Sequence, residues 1–203
     1  NILFKMDEWQ FIDFAEAFIQ TGHSTLINLV NEVLSVNTIG KNQLKKLWVE
    51  SIKEQDRHKK GKKLEIFLIN FFCCNGNFEL SKMRKLTDNE EIDIELKHRS
   101  NDSLWTQLNS PFVFVESKNW TSKVGSPDVK VFKDKIISHK NLCRVGFMVS
   151  VNGFTDGCET EKIRIVGENA VLVLIDGNDI NKFFEEDVSV QQFLEHMLSL
   201  AIK

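Results

Sequence analysis

Asp93, Glu116 and Lys118 are the residues of this 203-residue chain whose types and spacing could do chemistry. Glu116-Ser117-Lys118 closes the apolar run 112–115. In a strand, residues i and i+2 share a face, so Glu116 and Lys118 are expected side by side with Ser117 facing away. Asp93 sits inside an alternation, with Ile92, Ile94 and Leu96 set against Asp93 and Glu95, which is strand spacing. If the strand of Asp93 pairs with the strand of Glu116, two carboxylates and one ammonium converge. That set suits attack on an anionic phosphodiester. A hard divalent cation binds carboxylate oxygens and keeps water positions open, and it polarises a phosphoryl oxygen and lowers the pKa of bound water. Lys118 would orient that water, stabilise developing charge, or take a proton if burial lowers its pKa. Glu65, one helix earlier, could add a carboxylate. Taken alone, Glu-x-Lys is far more often a surface ion pair, and an Asp on an alternating strand is usually a solvated one. The set and its order raise the catalytic reading.

The elements that must position these residues are legible as a pattern. Residues 1–58 read as helical. Trp9, Ile12, Ala15, Phe18 and Ile19 recur near helical spacing, Gly22 is a stop, and Ser24 is placed to cap a helix over 25–34. A third helix over 42–57 carries Leu44, Leu47, Trp48 and Ile52 on one face. The basic run 57–63 marks a boundary, either a solvated turn or a phosphate contact near a helix start. Beyond it a buried helix is expected over 64–74, a short strand over 78–80, the Asp93 strand over 91–96 and a central strand over 112–115. Ser126-Pro127-Asp128 opens a helix running to 139. Strands over 145–151 and 170–175, a helix over 155–165, and closing helices over 179–186 and 189–202 complete an α/β chain with a mixed sheet. The expected division is a helical subdomain over 1–58 and an α/β domain over 59–203.

Composition sets the bounds. Apolar residues make up 42% and charged residues 27%, ordinary for a globular chain, and no apolar run is long enough for a membrane span. Asn1 stands where an initiating Met would, which points to processing or to a piece of a longer protein. No signal peptide is visible, and a cytoplasmic location is expected. Cys73, Cys74, Cys143 and Cys158 lack metal-ligand spacing and read as buried thiols in a reducing compartment. The five histidines are scattered, and no Gly-rich phosphate loop is present, so ATP is not expected. The net charge is −3, but it is unevenly spread. Residues 57–140 hold sixteen Lys and Arg against eleven Asp and Glu, while the rest of the chain is acidic. A basic middle with acidic flanks suits a phosphate backbone. Lys123, Lys130 and Lys133 read as phosphate contacts or as a solvated helix face, with Lys62, Lys63 and Asn119 as further nucleic-acid candidates. Trp105 and Trp120 are candidates for stacking on bases, with packing or loop anchoring as the commoner role.

At this point the sequence resembles the PD-(D/E)XK nuclease superfamily, in its restriction-endonuclease-like branch related to Mrr. The resemblance covers roughly residues 59–186. It begins on the helix holding Glu65, passes through Asn89-Glu90-Glu91-Ile92-Asp93, and centres on Glu116-Ser117-Lys118-Asn119-Trp120, similar to the "ECKNW" form of such nucleases. Gly146-Phe147-Met148-Val149-Ser150, Asn152-Gly153-Phe154-Thr155 and Val173-Leu174-Ile175-Asp176-Gly177 resemble the later strands and turns. The resemblance implies an αβββαβ core. It implies Asp93 and Glu116 as Mg2+ ligands together with the Ser117 backbone carbonyl, Mn2+ being able to substitute. Lys118 would be the catalytic lysine and Glu65 an auxiliary acid. It further implies an endonuclease acting on DNA in bacterial restriction or anti-phage defence, as a homodimer, a higher oligomer or part of a larger defence complex. The chain departs from many relatives in carrying Glu116 where they have Gln, in the Glu91-Ile92-Asp93 form of the acidic segment, and in lacking a glutamine on the helix over 128–137. Two rival readings stand beside this one. One is a nuclease fold that is catalytically silent or partner-gated and serves as a binding or assembly module. The other is an interaction protein with a chance Glu-x-Lys, in which Asp93 and Glu116 would lie far apart.

Overall fold

The computed structural model describes residues 27–28, 30–32, 39–86, 91–99, 103–139, 142–166 and 169–202. Residues 27–28 and 30–32 are helical, and the apolar periodicity expected over 9–19 lies outside the described residues. Next comes α1 (Lys41–Lys53), which begins where the Gln43 side chain accepts the Gly40 backbone N–H at 3.0 Å and buries Leu44, Leu47, Trp48 and Ser51 at helical spacing. The following helix, α2 (Arg57–Cys73), starts earlier than the sequence pattern predicts. The basic run 57–63 is its first two turns and not a solvated turn. Cations at a helix N-terminus oppose the macrodipole, so something must outweigh them. Asp56 does so by accepting the Lys59 N–H at 2.9 Å as the N-cap, and the apolar face that follows is buried.

Strands β1 (Phe78–Leu86) and β2 (Glu91–His98) come next, then a short helix α3 (Ser103–Leu108) that the pattern did not foretell. After β3 (Phe112–Lys118) come α4 (Ser126–Ser138), β4 (Cys143–Ser150), α5 (Gly157–Val166) and β5 (Val171–Asp176). Helices α6 (Gly177–Glu185) and α7 (Val190–Ile202) close the described chain. β1 is nine residues long, where the sequence suggests only Phe78 to Leu80. The five strands lie in the order β1-β2-β3-β4-β5. β1–β2 and β2–β3 are antiparallel, while β3–β4 and β4–β5 are parallel. This is the mixed α/β sheet expected from the sequence.

The period-2 alternation of the strands splits the core into two layers. Val113, Val115, Phe147, Val149 and Val173 face α1, α2, α6 and α7 and pack with Trp48, Phe67, Phe71 and Phe183. Phe114, Met148 and Leu172 face α4 and α5 and pack with Val129, Phe132, Ile136 and Cys158. A strand covered on both faces reads as a continuous apolar run, and β3 does. The boundary expected at residue 58 falls in the first turn of α2, and Trp48 of α1 stands 5.3 Å from Phe67 of α2, centroid to centroid.

Two glycines set how closely the layers approach. Gly146 of β4 lies under α4, where a Cβ would stand 2.2 Å from Ile136 Cδ1. Gly177 opens α6, where a Cβ would stand 2.3 Å from the Val151 backbone oxygen. Gly146→Ala is expected to destabilise the protein by about 1–3 kcal/mol through overpacking, because the Ile136 side chain can give way only in part. Gly177→Ala meets backbone that cannot rotate aside, and its clash outweighs the helix-propensity gain of about 1 kcal/mol. Thermal denaturation of both variants checks the order, with Gly177→Ala expected to melt lower.

Candidate active site

The β2–β3 ladder stops at the pair Ile94–Val115. Beyond it β2 continues along β1 and β3 continues along β4, so the two strands part. Asp93 and Glu116 are the first residues past the last pair, one on each side of the gap. The Ser117 N–H, left without a ladder partner on β2, donates to Asp93 Oδ2 at 2.8 Å. The Ser117 hydroxyl donates to the same oxygen at 3.1 Å. Ser117 does point away from its neighbours, as alternation requires, but towards Asp93 and not away from the site. A residue's N–H and C=O project to the same side of an extended strand. The Ser117 carbonyl therefore also faces the gap, while the Lys118 carbonyl, one residue on, accepts from Val151 N–H at 3.1 Å on the β4 side.

Glu116 is 6% exposed. An ionised carboxylate that deep must be paired, and both of its oxygens are. Lys118 Nζ donates to Oε1 at 2.7 Å, the same-face pairing that the i, i+2 spacing predicts. Lys135 Nζ, from α4, donates to Oε2 at 3.2 Å. Lys135 is a candidate site residue that the sequence did not single out. It is 8% exposed and shares the buried face of α4 with Val129, Phe132 and Ile136.

The electrostatics follow from this geometry. Burial raises the Asp93 pKa above the ordinary carboxylate value, and the charge of Glu116 raises it further. The Ser117 hydrogen bonds and the Lys118 charge oppose this without cancelling it. For Lys118, burial alone would favour the neutral amine, but Glu116, then Asp93 and Asp128, outweigh it and raise the pKa. Lys118 is therefore an ammonium and a hydrogen-bond donor, which removes support for the proton-accepting role weighed from sequence.

The other sequence candidates are spread around this centre. Glu65 is buried on α2, in the layer opposite the one that carries Lys135. Lys62 and Lys63 lie on the second turn of α2, and Lys63 pairs with Glu54, whose carboxyl falls to about 2 chiefly through that hydrogen bond. Lys123 and Lys130 are exposed. Lys133 is committed to Glu161 on α5 at 2.7 Å, with both side chains nearly buried. The Asn119 carboxamide donates to the carbonyls of Ser51 at 2.9 Å and Lys60 at 3.0 Å, tying the end of β3 to α1 and α2.

Among the described residues, no group of three or more His, Cys, Asp or Glu side chains is arranged to hold a metal ion. The donor set nevertheless fits one hard cation of the kind that keeps several waters. Asp93 and Glu116 flank the same gap, where burial first and the Glu116 charge second raise the Asp93 pKa, and a backbone carbonyl faces that gap.

Two outcomes are expected. Asp93→Asn removes a charge whose raised folded-state pKa costs stability. That cost is full above the folded pKa and fades as pH falls through the window down to the unfolded value. In EDTA, Asp93→Asn is therefore expected to melt above the unmodified protein at pH 7, with the gain shrinking towards pH 3. Lys135→Met leaves one Glu116 oxygen buried without its donor and is expected to cost ~2 kcal/mol in urea denaturation.

A search of curated proteins finds no match to the chain. The family model described as restriction endonuclease, the Mrr catalytic domain, matches residues 58–184. That span covers well over half of the chain and includes every strand of the sheet and the gap between β2 and β3, and the chain belongs to this PD-(D/E)XK-like restriction endonuclease family.

Proposed function

We propose that the protein is a divalent-metal-dependent endonuclease that hydrolyses phosphodiester bonds of DNA, with Mg2+ as the working ion and Mn2+ able to replace it. The observation that carries this reading is the meeting of Asp93, Glu116 and Lys118 where β2 and β3 part. Family membership supports nuclease chemistry in general, and the donor set supports a hard cation.

In this reading Asp93, Glu116 and the Ser117 carbonyl hold the ion. When bound, such an ion polarises the phosphoryl group and makes coordinated water a better nucleophile. The chain's own residues do the rest. Ser117 fixes the rotamer of Asp93 through two donors to one oxygen. Lys135 fixes Glu116 from the helix side, leaving Lys118 at the edge of the gap. The Lys118 ammonium donates to the attacking water or to a non-bridging phosphate oxygen and stabilises the negative charge that develops there. Glu65 is kept as an auxiliary acid. Lys62, Lys123 and Lys130 are the candidate phosphate contacts, with Lys63 beside them. The Lys133 ammonium and the Asn119 amide nitrogen are engaged within the protein, while Asn119 Oδ1 is buried without a hydrogen-bond partner, so Asn119 stays a candidate contact and Lys133 braces the scaffold.

Restriction of foreign DNA in the bacterial cytoplasm, by a homodimer or within a larger complex, is the biological setting we infer. Among the described residues, no helix is long and apolar enough to cross a membrane. One observation favours the partner-gated alternative. Both Glu116 oxygens are already held by ammonium groups, so an ion must share or displace them.

The test is cleavage of supercoiled and linear DNA with Mg2+, Mn2+ or EDTA. Cutting is expected with either metal, to be abolished by EDTA, and to fall by roughly a hundredfold or more in Asp93→Ala and in Lys118→Ala. Cutting in EDTA, or full activity in either variant, would overturn the assignment. If nothing cuts, calorimetric titration of Mn2+ into the unmodified protein separates a gated enzyme, which binds the ion, from a silent module, which does not.

A further inference from the structure

Trp120 is the one large aromatic side chain among the described residues that is exposed, at 37%. Trp105, the other stacking candidate, is 3% exposed and is packed against Phe78 and Phe147 in the core. Trp120 stands just past β3, with Lys118 Nζ over one face of its ring, so a base would stack on the other face. The ring centroid is 5.2 Å from Nζ. That is less than two nucleotide steps of about 3.4 Å each from the ammonium at the reacting centre.

The backbone beneath the ring is fixed on both sides. Asn119 is clamped to Ser51 and Lys60. The Trp120 carbonyl accepts a hydrogen bond from the Asn152 side chain, in the turn after β4. Further along, Val124 pairs with Phe154 and exchanges backbone hydrogen bonds with Gly153 and Thr155 at 2.9 Å each. An indole left in water costs hydrophobic free energy. Here a rigid loop holds it out beside the site, with the exposed Lys123 three residues on. A π-face with an ammonium nearby is how proteins hold unpaired nucleotides, the base stacking on the ring and the phosphate meeting the cation.

We infer that Trp120 is a stacking platform for a nucleobase next to the scissile phosphate, and that the protein prefers DNA in which that base is unpaired or readily unstacked. This rests on the nuclease reading for the position of the scissile phosphate. Its test does not rest on cleavage.

Binding is measured in EDTA by fluorescence anisotropy, with a fluorescein-labelled single strand of about 20 nucleotides and the matching duplex. Trp120→Ala and Trp120→Leu are expected to weaken single-strand binding roughly tenfold, and Trp120→Phe to keep most of it. Leucine preserves apolar area without a π-face, so it separates stacking from simple burial, and circular dichroism confirms that each variant is folded. Tryptophan emission is expected to be quenched by the single strand in the unmodified protein, and the quench to be lost in Trp120→Phe. Equal affinity for the single strand in all four proteins would overturn the inference. A dimer by sedimentation that becomes a monomer in Trp120→Ala would also overturn it, because the indole would then serve contact between copies. Metal-dependent cutting that persists alongside either result leaves the nuclease reading intact and removes only the role of Trp120.

Discussion

An ionised carboxylate buried at the edge of a hydrophobic sheet is the constraint on which the rest of this structure depends. Glu116 stands where the apolar centre of β3 gives way to the gap. Its desolvation is compensated by two ammonium groups from different elements. One comes free with strand geometry, since Lys118 is two residues on. The other must be delivered by a helix, which has to lie close enough for a lysine side chain to reach across. That closeness traces back to Gly146, whose missing side chain makes room for Ile136 next to Lys135. Burying an ion pair is rarely the cheapest route to stability, and a well-packed apolar pair would serve a purely structural protein better. Its place beside Asp93 is where the proposed metal chemistry would use it.

Much of this was legible in the sequence, and the limits have physical reasons. The Asp93 strand, the apolar β3 and the Glu-x-Lys pair could be read because strand periodicity is local and strict. A residue's face follows from counting by two. The opening helix Lys41–Lys53 and the Ser126-Pro127 start were legible through spacing and capping chemistry. Lys135 was not, because three lysines share α4 and sequence alone treats Lys130, Lys133 and Lys135 nearly alike. In the fold one is exposed, one pairs with Glu161 on a neighbouring helix and one enters the site. That sorting depends on which elements pack against α4, a tertiary fact.

The basic run 57–63 shows the opposite kind of limit. Charge density left a solvated turn and a phosphate contact near a helix start both open, and the Asp56 cap with the buried face behind it places a helix start there. A cap is a single residue and carries little weight in a composition argument, but it decides where the helix begins. The Asn119 amide nitrogen is likewise held by distant carbonyls, those of Ser51 and Lys60, while its Oδ1 is buried without a hydrogen-bond partner. Type can be read from sequence. Partners that lie 59 and 68 residues away cannot.

The Asn119 clamp also bears on what lies ahead of the family match. The family match begins at residue 58, one residue inside α2, yet the strand that carries Glu116 and Lys118 is fastened through Asn119 to Ser51, upstream of that point. Trp48, also upstream, packs at a tilt against Phe67 within the matched region. The matched span is therefore shorter than the stretch that holds the strand of Glu116 and Lys118 in place. The segment ahead of the match is thus positioned to retune that gap without altering any residue in it.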